Sequence, residues 1–418
     1  MRNLTADGGV RAVGPILMDA DTGVDDALAL ALLIGAARGR LIGVVATYGN
    51  VAQSQAERNT RDVLRLLGAD AVPVYAGSRA PSWADCFVPD AACAHFHGST
   101  GLGGLDVDDY LPAGAPVAAR CAVRSDSQRT LSRAAHLRAA HLRAAMKHAG
   151  EALPDPALVH SADATARATR TTVVSYGGYL PAHGTSTIPA TAEPAGDGGG
   201  VDAIIAAARR WGGDLTLVTP GPLTDAAEAI RRAPEIARNL RIVAMGGAFL
   251  QQGNCYDLTS ETNIIQDPEA ADFVVRSGAD VTLVGLDATH RCLCTPAMRD
   301  AVRSAGIAQA DFLADIMSVM IEANASVDPQ FALGAPLHDP LAAAVALDPT
   351  LVCTIDLPMK VQLATGDGHG VRGRTVGDPM GLARLVAEDG VARVHVAIDA
   401  DSGRFAENFL AALINVPR

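Results

Sequence analysis

The chain has 418 residues, 49% hydrophobic but only 4% aromatic, so a large core must be built mainly from Ala, Val, Leu and Ile. The formal net charge of -12 argues against a nucleic-acid backbone or an anionic membrane as the main partner, and seven cysteines without regular spacing do not suggest a disulfide framework. Met1 to Val13 lacks the apolar region of a secretion signal, and no apolar run reaches membrane-spanning length, so a cytoplasmic location is expected.

Strand-like and helix-like segments alternate from the start. Pro15–Met18 reads as a strand, Asp25–Arg38 as a helix, Leu41–Thr47 as a strand, Ala52–Leu67 as a helix and Val72–Tyr75 as a short strand. Between Pro112 and Gly200 this rhythm fails until Thr171–Tyr176, which reads as a strand. Here Ala134-Ala135-His136-Leu137-Arg138 is repeated at once as Ala139-Ala140-His141-Leu142-Arg143, a local duplication at a spacing unlike the helical period. Asp126 to Ala149, rich in Ala, Leu and Arg, can form one helix, and Pro194 to Gly200 reads as a linker. The alternation resumes with Val201–Trp211 (helix), Leu215–Thr219 (strand), Leu223–Arg231 (helix), Arg241–Met245 (strand), Pro268–Ser277 (helix) and Val281–Val284 (strand). The order predicts an α/β fold with a mostly parallel central sheet flanked by helices, interrupted by a long insertion at 113–200. The role of that insertion is left open among a lid, a change of base specificity and a subunit interface.

The densest chemistry lies in Asp19-Ala20-Asp21-Thr22-Gly23-Val24-Asp25-Asp26, directly after the first strand. Carboxylates this close repel one another unless a cation or a proton offsets them. Strand ends opening into helices are where open α/β sheets place ligands. An EF-hand loop fails, because counting from Asp19 puts Gly23 at position 5 and Val24 at position 6. A haloacid dehalogenase type of phosphatase leaves Asp25 and Asp26 unexplained. A plain helix N-terminus accounts for one or two of the carboxylates but not for all. An all-oxygen donor set suits Ca²⁺ or Mg²⁺ rather than zinc. Cys292 and Cys294 are too close together, and lack a second pair, for a zinc ribbon.

Further motifs follow in order: Thr47-Tyr48-Gly49-Asn50-Val51, His97-Gly98 with Gly101-Leu102-Gly103-Gly104, Gly221-Pro222-Leu223-Thr224, Met245-Gly246-Gly247, Gly253-Asn254, Glu261-Thr262-Asn263, Asp267-Pro268-Glu269-Ala270, His338-Asp339-Pro340-Leu341 and Arg372-Gly373-Arg374-Thr375. With the aspartate cluster, this series resembles the nucleoside hydrolases of the inosine–uridine preferring type along most of the chain. The resemblance implies one nucleoside hydrolase-like domain over 1–418, open and Rossmann-like, that cleaves the N-glycosidic bond of ribonucleosides. It also implies a Ca²⁺ ion held by Asp21, Asp26, Asp339 and the main-chain carbonyl of Pro220. Asp21 would act as general base and His338 as acid for the departing base. Asp25 would bind the 2′-hydroxyl, Asn263 the 3′-hydroxyl, and Asn254 with Glu261 the 5′-hydroxyl. Asn50 would support that network, His97 and Met245 would line the pocket, and Asp19 would stand behind the metal ligands. A small-molecule nucleoside and further copies of the chain, as a homodimer or homotetramer, are the implied partners.

Some positions depart from the family's pattern. Thr262 replaces a usual aromatic residue, Asp225 a common Asn, and one extra residue separates Asn254 from Glu261. A long excess of chain lies between Gly104 and Leu215. These departures leave open a hydrolase of a modified nucleoside or nucleoside-like metabolite. A non-catalytic nucleoside sensor would need no general base or acid, which the joint presence of Asp21, Asp26, Asp339 and His338 supplies.

Overall fold

The computed structural model describes residues 14–37, 39–89, 91–111, 199–255, 258–365, 371–380 and 394–416. These residues belong to the unit formed by Met1–Ala115 and Thr187–Arg418; the other unit, Pro116–Ser186, lies outside the described residues. So do the expected strand at 171–176, the helix at 126–149 and the insertion at 113–200, apart from its last two residues.

Twelve strands are described: β1 (Ile16–Ala20), β2 (Leu41–Ala46), β3 (Val74–Ala76), β4 (Thr216–Thr219), β5 (Arg241–Met245), β6 (Asp280–Val284), β7 (Leu293–Cys294), β8 (Ala335–Pro336), β9 (Val352–Leu357), β10 (Met359–Val361), β11 (Thr375–Gly377) and β12 (Val394–Ala400). Eight of them form one sheet in the order β3-β2-β1-β4-β5-β6-β12-β9. Every pairing in it is parallel except β12 with β9. The chain runs outward from β1 through β2 to β3, then returns to β4 on the other side of β1. That reversal is a topological switch point, where the crevice outside the strand ends receives ligands.

Alternation along the strands sends neighbouring side chains to opposite faces. Ile16, Met18 and Ala20 pack into one core, and Leu17 into the other; Val218, Val243 and Met245 join the first, while Leu217, Ile242 and Ala244 join the second. Helix α1 (Val24–Ala36) is buried on all sides, with every residue from Val24 to Leu33 nearly or wholly withdrawn from solvent. Its uniform apolarity fits this position, since a helix lacking a polar face has no side to offer water. Against it lie the helices Ala310–Val327, His338–Leu347 and Ser402–Ile414. Helix α2 (Gln53–Leu66) is strongly amphipathic and covers the same face. Helices Gly200–Trp211, Thr224–Arg232 and Pro268–Arg276 cover the opposite face.

Among the described residues the expected elements are present, with ends displaced by at most two residues. The displacement at β1 matters: pairing with β2 carries the strand through Ala20 rather than ending it at Met18. Asp19 is therefore a strand residue under the cluster. Among the described residues no helix is long and apolar enough to cross a membrane.

Leu30 is wholly buried in α1. Leu30→Ala should lower unfolding free energy by about 2–5 kcal/mol, the cost of lost burial plus a cavity. Chemical denaturation measures this, and an unchanged midpoint would contradict the central place given to α1.

Candidate active site

Four aspartates converge beyond the carboxyl ends of the central strands, with a fifth, Asp19, beneath them. Asp19 comes from β1, Asp21 from the turn after it, and Asp25 with Asp26 from the first turn of α1. Asp339 comes from the first turn of the helix His338–Leu347. Two helix N-termini thus face the cluster, and their partial positive charge favours carboxylates there. All five are buried, and Asp19 and Asp26 have no exposure at all.

Most of these carboxylates have an oxygen that makes no hydrogen bond. Both oxygens of Asp19 and Oδ1 of Asp21, Asp25 and Asp26 are buried without a partner. Oδ2 of Asp26 and Oδ2 of Asp21 are held by donors. Asp26 Oδ2 accepts from the Gly23 backbone N–H at 2.8 Å and from Asn50 Nδ2 at 3.2 Å. Asp21 Oδ2 accepts from the Asn50 backbone N–H at 2.6 Å. Asp21 is hemmed between two glycines: a Cβ at Gly49 would lie 2.1 Å from its Oδ2, and one at Gly221 would lie 3.0 Å from its Oδ1. The free oxygen therefore faces the end of β4, beside Pro220.

Among the described residues, Asp25, Asp26 and Asp339 form the acidic trio whose ligand atoms lie within 4.8 Å of one another. This oxygen-only group could hold a metal ion. Asp21, expected with Asp26 and Asp339, is not of that trio, although it interacts electrostatically with Asp26 and Asp25. Burial raises the pKa of Asp19, Asp21, Asp26 and Asp339, and neighbouring carboxylates raise each further; Asp26 reaches about 7. So many charges cannot all persist in a dry site without an added positive charge.

Two histidines border the cluster. His97 ends a short helix, α3 (Ala91–His97), rather than lying in a loop. Its Nδ1 accepts from the Val24 backbone N–H at 3.2 Å and lies 3.8 Å from Asp25 Oδ1. A Cβ at position 23 would stand 2.3 Å from that nitrogen, so Gly23 is what permits the approach. Burial lowers the His97 pKa, with Asp25 opposing. His338 begins its helix, and its Nδ1 lies 2.8 Å from Thr289 Oγ1. Burial and the nearby His290 lower its pKa to about 4.

A second group gathers at the ends of β4 and β5. Asn263 Nδ2 lies 2.5 Å from the Pro220 carbonyl, and 3.2 Å from both the carbonyl and the sulfur of Met245. The Pro220 oxygen is thus already an acceptor, although a carbonyl has a second lone pair. Glu261 caps the helix Thr262–Gln266: its carboxylate accepts from the backbone N–H groups of Gly247, Asn263 and Ile264. Asn254 is exposed, and its Oδ1 accepts from both the N–H and the hydroxyl of Thr262. The threonine in place of an aromatic residue is therefore used locally, as a donor to Asn254.

Several supporting residues carried no motif. Asn59 Nδ2 donates to the carbonyls of Thr22 and Thr100, and Thr60 Oγ1 meets Thr22 Oγ1 at 2.7 Å, so α2 ties the aspartate turn to the glycine-rich segment. Buried polar residues on an amphipathic helix are the signal that could have marked them. Asp287 accepts from the N–H groups of Phe249, Leu250 and Gln251. Arg374 donates to the carbonyls of Phe249, Gln251 and Thr259, which shows the Arg372-Gly373-Arg374 motif clamping this loop.

Residues 16–407 match the family described as inosine-uridine preferring nucleoside hydrolase. The chain belongs to this family. As a nucleoside hydrolase it cleaves N-glycosidic bonds. Among its relatives is a pyrimidine-specific ribonucleoside hydrolase of an Enterobacter species, 28% identical over 365 residues, covering 87% of this chain and 88% of the relative. An inosine-uridine preferring nucleoside hydrolase of Leishmania major is 27% identical over 364 residues, or 87% of each chain. The solved purine-preferring ribonucleoside hydrolase of Gardnerella vaginalis superposes with a TM-score of 0.70 at 31% identity, covering 96% of this nucleoside hydrolase and 98% of that one.

The raised carboxylate pKa values set a pH dependence. Asp19, Asp21, Asp26 and Asp339 have folded values above the ordinary value of about 3.9, so their contribution to stability is full below about pH 4 and is lost as pH rises through the folded values. At Asp26 that loss runs from about pH 4 and is complete just above pH 7, since its folded pKa is about 7. Chelator-treated protein should therefore melt lower at pH 7.5 than at pH 5, within about that window, and a divalent cation should restore the loss. Equal melting at pH 7.5 with and without the cation would contradict the electrostatic reading.

Proposed function

We propose that this nucleoside hydrolase is Ca²⁺-dependent and hydrolyses ribonucleosides to free base and ribose. The carrying observation is the buried cluster of aspartates at the switch point, in which Asp25, Asp26 and Asp339 bring ligand oxygens within 4.8 Å of one another. Its donors are carboxylate and carbonyl oxygens, which suit a hard divalent cation. Asp26 and Asp339 would hold the ion with Asp21 and the Pro220 carbonyl, and Asp25 stands close enough to share it. When bound, the cation supplies positive charge that offsets the carboxylates and acidifies a neighbouring water.

The chain's own residues then divide the work of reaching an oxocarbenium-like transition state. Asp21 is the base: the Asn50 N–H holds its Oδ2, which leaves Oδ1 to take a proton from water. Asp25 is assigned to the 2′-hydroxyl and Asn263 to the 3′-hydroxyl, with Asn50 supporting both carboxylates it touches. Asn254 is the exposed candidate for the 5′-hydroxyl. Glu261, with its oxygens on three backbone N–H groups, contributes more by fixing Asn263 than by direct contact. His338 and His97 face the departing base. Burial and the nearby His290 hold His338 toward its neutral form, so it meets the base chiefly as a hydrogen-bond donor. Met245 lines the sugar side, and Asp19 backs Asp21. A cytoplasmic homodimer or homotetramer follows from the resemblance.

Asp21→Asn should fold and bind nucleoside while kcat falls by about 10²- to 10⁴-fold, the usual share of a general base. Retained activity would remove Asp21 from that role. A panel of purine and pyrimidine ribonucleosides, assayed with chelator and with added Ca²⁺, tests the wider reading. Turnover restored by Ca²⁺ is expected. Absence of turnover on every member, with Ca²⁺ bound, would overturn it.

A further inference from the structure

Thr289 lies in the short helix Leu286–Thr289 that follows β6, at the same end of the sheet as the aspartates. It is wholly buried, and its hydroxyl sits 2.8 Å from His338 Nδ1. The platform beneath it is tightly held. The Leu286 N–H donates to the Gly247 carbonyl, the Thr289 N–H donates to the Gly285 carbonyl, and Asp287 grips three consecutive backbone N–H groups of the 249–251 loop. The next residue, His290, lays its ring 5.7 Å from that of His338, tilted by 59°, and meets Phe331 edge-on at 5.1 Å. His338 is thus held by a hydroxyl on one ring nitrogen and backed by a second imidazole.

We infer that Thr289 is a positioning residue for His338, gripping Nδ1 so that Nε2 is the ring nitrogen presented to the nucleobase. The inference rests on the reading of His338 as a residue that meets the departing base. An imidazole bound at one nitrogen has its ring direction and its second nitrogen defined together. A hydroxyl suits this task because it both donates and accepts, and so serves either ring state. A carboxylate in its place would add another negative charge beside Asp25 and Asp339. The titratable groups acting on His338 are His290, Asp25 and His97, the last two on the aspartate side.

The test compares Thr289→Val, which keeps shape but removes the hydroxyl, with Thr289→Ser, which keeps the hydroxyl. Kinetics on the best substrate of the ribonucleoside panel should show kcat about 10- to 100-fold lower for Thr289→Val, the range for leaving one buried polar group without its partner. KM and Ca²⁺ affinity should stay near wild type, and Thr289→Ser should recover most of kcat. The ¹⁵N spectrum of His338 should show a defined tautomer in wild type and Thr289→Ser, and a mixture in Thr289→Val. Wild-type kcat in Thr289→Val, or an equal loss in Thr289→Ser, would overturn the inference. His338→Ala separates the two levels. If it turns over at the wild-type rate, the role of His338 fails; if it is inactive while Thr289→Val is unimpaired, only the positioning role fails.

Discussion

Repulsion among five buried aspartates is the constraint on which the rest of the structure depends. Asp19, Asp21, Asp25, Asp26 and Asp339 occupy one water-poor crevice, and several of their oxygens have no donor to face. An unpaired buried charge costs several kcal/mol, so such a cluster persists only if something else gains from it. The fold reduces the repulsion in part. Helix α1 and the helix from His338 point their N-termini inward, and backbone N–H groups of Gly23 and Asn50 grip single oxygens. These contacts orient the carboxylates without satisfying them. The remaining free oxygens are what a divalent cation would satisfy.

The scaffold around this point is built for close approach. Gly23 lets His97 reach the start of α1, and Gly49 with Gly221 leaves just enough room for Asp21. Helix α1 has no polar face because it is enclosed by three other helices, which gives the aspartates at its first turn a rigid base. On the far side, Asn263 bridges the ends of β4 and β5, and Glu261 fixes the turn that presents it. The aspartate cluster and the Glu261–Asn263 group thus stand beyond the ends of different strands of one mostly parallel sheet. They meet where the strand order reverses.

Much of this was legible in the residues themselves. The alternation of apolar runs located six parallel strands, and the density of carboxylates after β1 located the crevice. Local pattern could not show that Asp339 closes the cluster, because a carboxylate before Pro340 reads equally as a helix cap; the resemblance supplied that link. Nor could it order the ligands, since the trio of Asp25, Asp26 and Asp339 is assembled by the meeting of two helix N-termini far apart in the chain. Asn59, Thr60, Asp287 and Thr289 escaped notice for the same reason. Each acts through a partner distant in sequence, and a single Thr or Asn has no local signature. Glu261 was expected on the sugar and is found capping a helix with both oxygens. Its role could be read only once the backbone donors around it were placed.

The central claim is that the raised pKa values of the aspartates and the binding of a cation are two sides of one balance. Calorimetric titration of Ca²⁺ into the chelator-treated nucleoside hydrolase, repeated in buffers of different ionisation enthalpy near pH 7, measures both at once. Carboxylates that hold protons in the dry site must give them up to bind the ion. The account predicts saturable binding accompanied by proton release, with both lost in Asp26→Asn. Absence of binding, or binding with no proton released, would contradict it.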